Sequence, residues 1–524
     1  AGSALDNAIF GAKPQAQAEG ADIRLTGSSA GGAIPRLYGW SRLSGNIIWA
    51  TRLEEMTGTS SGAKGTSQTD SPAEILASFA VAFCEGEVAH LGRIWADGQL
   101  LETEGLTIRF YRGTEDQLPD SLVEAKQGAG NAPAYRGLCY LVFEQLPLSR
   151  FGNRIPSISV ELCRVVGTLE PAITAVTVIP AATEFGYDPT PRVRLVSPGV
   201  TAAENTHQSA ELSDWTISLD TLQALCPTLK HVSLVVAWFG DDLRAGQCTV
   251  APRIESATRS VSGANWVVSG VGRGGAGVVS TYDGGAAYGG TPSDGAVLAA
   301  IADLKARGLA VTLYPMLLMD IPAGNTLPDP YGGASQPAYP WRGRVTCDPA
   351  PGAAGTPDGT AAVTAQIAAF LGSAAPGQFS AAGTTVAYAG SGWGYRRMLL
   401  HYARLAAMAG GIDALLIGSE LRGLTTLCDE TGAFPFVAAL AALAADVRSI
   451  TGPTTKLTYA ADWSEFSGYR PADAPGDKYF HLDALWAAAD IDAIGIDNYM
   501  PIADWRDGTD HADAALADSP YDLE

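Results

Sequence analysis

Basic residues are scarce in this chain of 524 residues: 34 Lys and Arg stand against 55 Asp and Glu, a formal charge of −21. Such a balance repels phosphate backbones, and no long Lys/Arg run makes a local exception, so nucleic-acid binding is not expected. Long hydrophobic runs are also missing. Nothing approaches the roughly 18 consecutive apolar residues of a membrane span. The seven cysteines (Cys84, Cys139, Cys163, Cys226, Cys248, Cys347, Cys428) are scattered, odd in number and free of any C-x-x-C pair. They read as buried reduced thiols, not as a disulfide framework or a zinc site. His90, His207, His231, His401, His481 and His511 show no metal spacing, and no metal or cofactor is expected. The opening "AGSALDNAIFGAK" has neither an initiator Met nor the basic start and apolar centre of a signal peptide, and reads as a trimmed or processed start.

What is abundant is apolar: 47% of the residues against 17% charged. That is enough for sizeable cores, and the length fits about two or three domains. Residues 1–25, rich in Ala, Gly and Gln, are expected to be an arm or linker. From 26 to 166 the rhythm is that of strands. "PRLYGWSRLSGNIIWATRL", "ILASFAVAFCEGEVAHLGRIWADGQLL" with Glu85-Gly86 as a hairpin tip, "LTIRFYRG", "RGLCYLVFEQL" and "IPSISVELCRV" predict an all-β domain, interrupted by a polar Gly/Ser/Thr loop from Gly58 to Asp70. Residues 167–215, broken by Pro171, Pro180, Pro189 and Pro191, read as a connector.

From 216 to 524 strands and helices alternate, which predicts parallel strands with crossover helices, an α/β (β/α)8 barrel. Strands are expected near residues 231, 266, 310, 413, 456 and 491, with helices at "SDGAVLAAIADLKARG" (Ser293 as N-cap, Gly308 as stop), near Ala361–Leu371, and at "GYRRMLLHYARLAAMAGG", "FPFVAALAALAADVRSITG" and "LDALWAAA". This makes six of eight strands. The closing two are expected from further along the parent polypeptide or from another segment.

Chemistry in such barrels collects at the carboxyl ends of the strands. The apolar run in "GIDALLIGSELRG" ends on Glu420, which stands at the end of the fourth strand, where glycosidases of this architecture carry an acid/base. A glutamate that caps or pairs at a strand end would look the same. The second carboxylate is expected on a seventh strand outside this sequence. Trp238, Asp320, Asp462, Trp463, Asn498 and Tyr499 mark the other strand ends and suit a sugar, whose flat faces stack on rings and whose hydroxyls need polar partners. Two other motifs carry less. Gly270, Gly272 and Gly275 spell G-x-G-x-x-G, but the following "AGVVSTYDGG" is no helix that could hold a pyrophosphate. G-x-S-x-G occurs around Ser29 and Ser60 in Gly/Ser-rich loops without the strand and helix of a nucleophile elbow.

"PRLYGWSRLSGNIIWATRLEE" and "YRGLCYLVFEQLPLSRFGNRIPSISVEL" resemble the N-terminal part of phage tail-tip and baseplate hub proteins. "TLKHVSLVVAWFGDDLRAGQCTVAPRIE", "AAYGGTPSDGAVLAAIADLKARGLAVTLYPMLLMDIP" and "DALLIGSELRGLT" resemble the glycosidase-like barrel of the large baseplate proteins of gene transfer agents and related alphaproteobacterial phages. The resemblance implies a virion protein of the tail baseplate, with an all-β tail-hub-like domain followed by a TIM-barrel-like one. Its implied partners are other tail proteins (distal tail ring, hub, tail fibres) and further copies of itself in a ring around the tail axis. It implies that the barrel meets peptidoglycan or surface glycan at the host envelope, with Glu420 at the position of the family's proposed acid. Two rival readings stand beside it: a free secreted or periplasmic glycoside hydrolase with an accessory β domain, and a catalytically inactive barrel that binds glycan.

Overall fold

The computed structural model describes residues 32–56, 74–179, 184–471, 474–501, 503–520 and 522. The expected N-terminal arm, the Gly58–Asp70 loop, Ser29 and Ser60 lie outside the described residues. The chain divides into two compact units, one holding Ala175–Asn205 and Lys230–Glu524, the other reaching to Thr174 and including Thr206–Leu229.

The second of these is built on antiparallel strands. The central one, Glu74–Glu85, is apolar at nearly every position because both of its faces are covered. Phe79, Val81 and Phe83 pack with Leu141, Phe143, Val160 and Leu162, while Ala80 and Ala82 on the other face meet Tyr140 and Val142. The Glu85-Gly86 turn is not a hairpin tip. Glu74–Glu85 pairs with Asn46–Ala50 and Leu138–Pro147, whereas the next strand, His90–Ala96, pairs with Ile158–Arg164 in a different sheet. The same switch occurs at Gly45, where Gly39–Ser44 belongs to one sheet and Asn46–Ala50 to the other. A Cβ on Gly45 would stand 2.1 Å from Val81 Cγ1, so the corner is packed too closely for a side chain. The unit is not purely β. Helix Ser121–Gln127 starts at Asp120, whose carboxylate accepts from Leu122 N and Val123 N and pairs with Arg109 at 2.6 Å.

The other unit carries a six-stranded parallel sheet: β1 (Ala175–Val178), β2 (His231–Gly240), β3 (Ala310–Met319), β4 (Ala414–Ser419), β5 (Lys456–Asp462) and β6 (Gly495–Asp497). Spatial order follows chain order throughout, the winding of a barrel and not of a doubly wound sheet, which reverses at a switch point. The result is a curled half-barrel, TIM-barrel-like. One expected strand is replaced by another. The segment after Trp266 forms a two-residue strand, Val267–Val268, that folds back on Val271–Gly272 and stays out of the sheet, while β1 comes from the stretch read as connector. Gly270 at φ +78 supplies the reversal, and the G-x-G-x-x-G run ends in a 3-10 turn, Arg273–Gly275, with no helix behind it.

Helices α1 (Asp294–Ala306), α2 (Tyr395–Met408) and α3 (Pro435–Thr451) connect the strands. Ser293 Oγ accepts from Ala296 N, so α1 starts at the expected cap. Alternate residues of each strand face opposite ways. Val232, Leu234, Val236 and Trp238 are fully buried, whereas Val235, Tyr314, Leu416 and Ala460 form a separate cluster with Met316. Tyr314 thus belongs to the side chains that fill the curl of the sheet. Among the described residues no helix is long and apolar enough to cross a membrane, and none of the seven cysteines forms a disulfide.

Candidate functional site

Glu420 follows β4 directly and is 3% exposed. The pairing of β4 with β5 slips between Leu416 and Ser419, and Glu420 N then donates to Ala460 O at 2.9 Å. This turns Glu420 into the left-handed region, at φ +51, a conformation that costs an ordinary side chain about 1–2 kcal/mol. Such strain persists only where the surroundings hold it. Leu421 N donates to Tyr459 Oη at 2.7 Å and Tyr459 Oη bonds Glu465 Oε1 at 3.1 Å, tying the exit of β4 to that of β5.

The side chain is held from above by a turn in the long excursion between β3 and α2. Trp341 Nε1 donates to Glu420 Oε2 at 2.5 Å, and Arg342 Nη2 lies 3.0 Å from the same oxygen. Arg342 Nε donates to Ser419 O at 3.0 Å and Nη2 to Tyr314 Oη at 3.3 Å. Close approach makes this possible. A Cβ on Gly423 would lie 2.4 Å from Val345 O and 2.8 Å from Gly343 O, so only glycine lets the turn descend onto the β4 exit. Burial works against the charge of Arg342, but Tyr314, Glu420 and Asp497 around it outweigh that and raise its pKa.

A carboxylate of the chain itself lies beside Glu420, at the end of β6. Asp497 Oδ2 accepts from Tyr314 Oη at 2.7 Å and lies 3.8 Å from Arg342 Nη2. Burial raises its pKa, the Tyr314 bond opposes this, and the charge of Glu420 beside it adds to the rise, to about 6. Sequence reasoning singled out Asn498 and Tyr499 next to it and missed Asp497. The available signal was its place as the last residue of the strand "GID".

Of the expected residues, Tyr499 also joins this cluster: burial first, then the charges of Glu420 and Asp497, push its hydroxyl to about 12, and the residue is 65% exposed. Asp462 stands in register with Asp497 on β5, with its carboxylate turned to Ser464 N at 2.9 Å, and Trp463 beside it is 42% exposed. Asn498 accepts from Met500 N and is exposed. Trp238 and Asp320 are not brought to Glu420. Trp238 is fully buried against Trp393, His401 and Tyr402, and Asp320 pairs with Arg253 at 2.5 Å and accepts from Ser280 N at 2.9 Å.

Residues 393–524 match the protein family described as "GTA TIM-barrel-like domain". This part of the chain is a GTA TIM-barrel-like domain. It contains Glu420 and Asp497, while Tyr314, Trp341 and Arg342 precede it in the chain. Among solved structures, a chain of the "Virion of native gene transfer agent (GTA) particle" is 41% identical over 30% of this chain and 34% of its own, at a TM-score of 0.25. A GH113 beta-1,4-mannanase is 15% identical over 53% of this chain and 54% of its own, at a TM-score of 0.26, and the GH113 beta-mannanase AaManA from Alicyclobacillus acidocaldarius is 16% identical over 47% and 48%, at 0.23. The chain thus spans about a third of the virion chain and about half of each mannanase. No curated protein matches the chain.

Two further features bear on what the GTA TIM-barrel-like domain and the strands before it can do. Among the described residues no group of three His, Cys, Asp or Glu is arranged to hold a metal ion. A cavity of about 390 Å³ is lined by Phe185, Arg259, Trp266 and Arg273, none of them from the Glu420 cluster. Around Glu420 the chain gathers two carboxyls, a guanidinium, two phenols and an indole.

Proposed function

We propose that the chain is a structural component of a gene-transfer-agent or phage tail baseplate whose half-barrel unit binds or cleaves cell-wall or surface glycan at Glu420 and Asp497. The observation that carries this reading is the GTA TIM-barrel-like domain over residues 393–524, with a carboxyl pair at the carboxyl ends of its strands. The β-rich region 26–166 is assigned to packing against other tail proteins, with the chain repeated around the tail axis. Exposed rings at Trp341, Trp463 and Tyr499 suit stacking on sugar faces, and Asp462 and Asn498 add polar partners at neighbouring strand ends.

Cryo-electron microscopy of assembled particles tests the structural role. The full chain is expected as a ring at the tail tip; its recovery only as a free monomer, with particles assembled without it, would overturn that role. Co-sedimentation with purified peptidoglycan sacculi tests the glycan role. Binding that drops on Trp341→Ala or Tyr499→Ala supports it, and no binding by the wild-type chain counts against it.

A further inference from the structure

We propose that Glu420 and Asp497 form a carboxyl pair that shares one proton, with Asp497 as the member that delivers it to the bridging oxygen of a bound glycan. The inference rests on the glycan reading above.

The argument begins with the two oxygens of Glu420. Oε2 already accepts from Trp341 Nε1 at 2.5 Å and faces Arg342 Nη2 at 3.0 Å. Oε1 is buried and receives no hydrogen bond. Leaving a buried acceptor unmet costs about 1–3 kcal/mol, more for a charged group. Two groups stand in hydrogen-bonding reach of Glu420, the Tyr499 hydroxyl and the Asp497 carboxyl, and of the two carboxyls a proton on Asp497 lets one donate to the other. Two carboxyls this close cannot both be charged cheaply, and the pair titrates as a unit.

Which member keeps the proton follows from asymmetry. Arg342 Nη2 is 3.0 Å from Glu420 and 3.8 Å from Asp497, and Trp341 bonds only Glu420, so the negative charge belongs on Glu420. Asp497 is also the one within reach of a ligand, its side chain being 19% exposed against 4% for Glu420. Around Asp497 stand Tyr314 from β3, Glu420 from β4, Asp462 in register on β5, Arg342 from the turn, and Tyr499 beyond β6. Its pKa of about 6 is in the range where a group donates and recovers a proton near neutrality.

In the step itself the Asp497 proton moves to the glycosidic oxygen as the bond from that oxygen to the anomeric carbon breaks, the bonding electron pair staying on oxygen. Water adds to the anomeric carbon, and one of its protons restores Asp497.

The test uses the full chain with aspartate isotope-labelled at the side-chain carboxyl, so that glutamates are silent in infrared difference spectra taken across the acidic-to-neutral range. The wild type is expected to show an aspartic acid band that disappears near pH 6. That band is expected to be absent in Asp497→Asn and to titrate at lower pH in Glu420→Gln, where the neighbouring charge is gone. An unchanged aspartate titration in both variants would overturn the pair. Release of reducing ends from peptidoglycan sacculi is the second arm. Release by the wild type that is lost in Asp497→Asn, with sacculus binding retained, supports the delivery step. A titration as expected with no release by a wild type that still binds sacculi overturns the delivery step alone, and a wild type that neither binds nor releases overturns the glycan reading as well, independently of the pair.

Discussion

Arg342 Nη2 lies 3.0 Å from Glu420 Oε2 and 3.8 Å from Asp497 Oδ2, so one buried guanidinium faces both carboxyls of the site. It arrives from a turn 78 residues before Glu420 in the chain and also bonds Ser419 O and Tyr314 Oη. The turn is therefore part of the site, although it lies outside the matched family segment.

Removing that cation leaves buried negative charge without a partner. Arg342→Met is expected to destabilise the unit by about 3–5 kcal/mol at neutral pH, the range for breaking a buried pair from one side. Urea denaturation of the full chain, followed by tryptophan fluorescence, measures it. An unchanged midpoint would mean that water reaches Glu420 and Asp497 freely.

The backbone at Glu420 offers a separate test. Glu420→Ala and Glu420→Gly both lose the Arg342 contact, so their difference isolates the φ of +51. Glycine is expected to be the more stable of the two by about 1 kcal/mol, because a Cβ is what the left-handed region penalises. Equal stabilities would show that the turn relaxes once the carboxylate is gone.

Glu465 links pH to stability in the opposite direction from a surface carboxylate. Burial raises its pKa to about 7 from an ordinary 4.5, against the bonds from Thr425, Asp462 N and Tyr459 that lower it. The folded form thus holds its proton more tightly than the unfolded one. Its contribution is complete below pH 4.5 and is lost as pH rises through about 7. Glu465→Gln is expected to flatten the fall in melting temperature across that window; an identical slope in the variant would show that Glu465 ionises without cost.

The cysteines give a simple accessibility check. Six are buried and Cys428 is half-buried, and burial pushes the Cys248 thiol up to about 12. In the native chain iodoacetamide is expected to modify Cys428 first and the others only on unfolding, because the thiolate is the reactive form. Peptide mass spectrometry reads the order, and early labelling of Cys248 would contradict the packing.

Local pattern made much of the architecture legible. The cap at Ser293, the stop at Gly308 and the apolar run before Glu420 each act within one or two turns of chain, and the elements formed where those signals stand. The strand near 266 was misplaced for the same local reason. Val267 and Val268 have strand propensity, but Gly270 reverses the chain after them, while Ala175–Val178, only four residues between prolines, is too short to show a period. The hairpin expected at Glu85-Gly86 failed because propensity marks a strand without naming its partner.

The sequence by itself determined the alternation of strands and helices, the apolar faces they bury, and the position of Glu420 at a strand end. It could not single out Asp497 from Asp490 and Asp492 a few residues earlier, one of which, Asp492, is spent on Arg448 at 2.5 Å and Lys456 at 3.1 Å. Only the tertiary structure decided that Asp497 meets Tyr314, Arg342 and Glu420, residues contributed by β3, a distant turn and β4. The physical reason is one of range. Periodicity and capping are set by neighbours along the chain, whereas a buried charge acquires its partners, and with them its protonation state, from strand register and close packing between segments far apart in sequence.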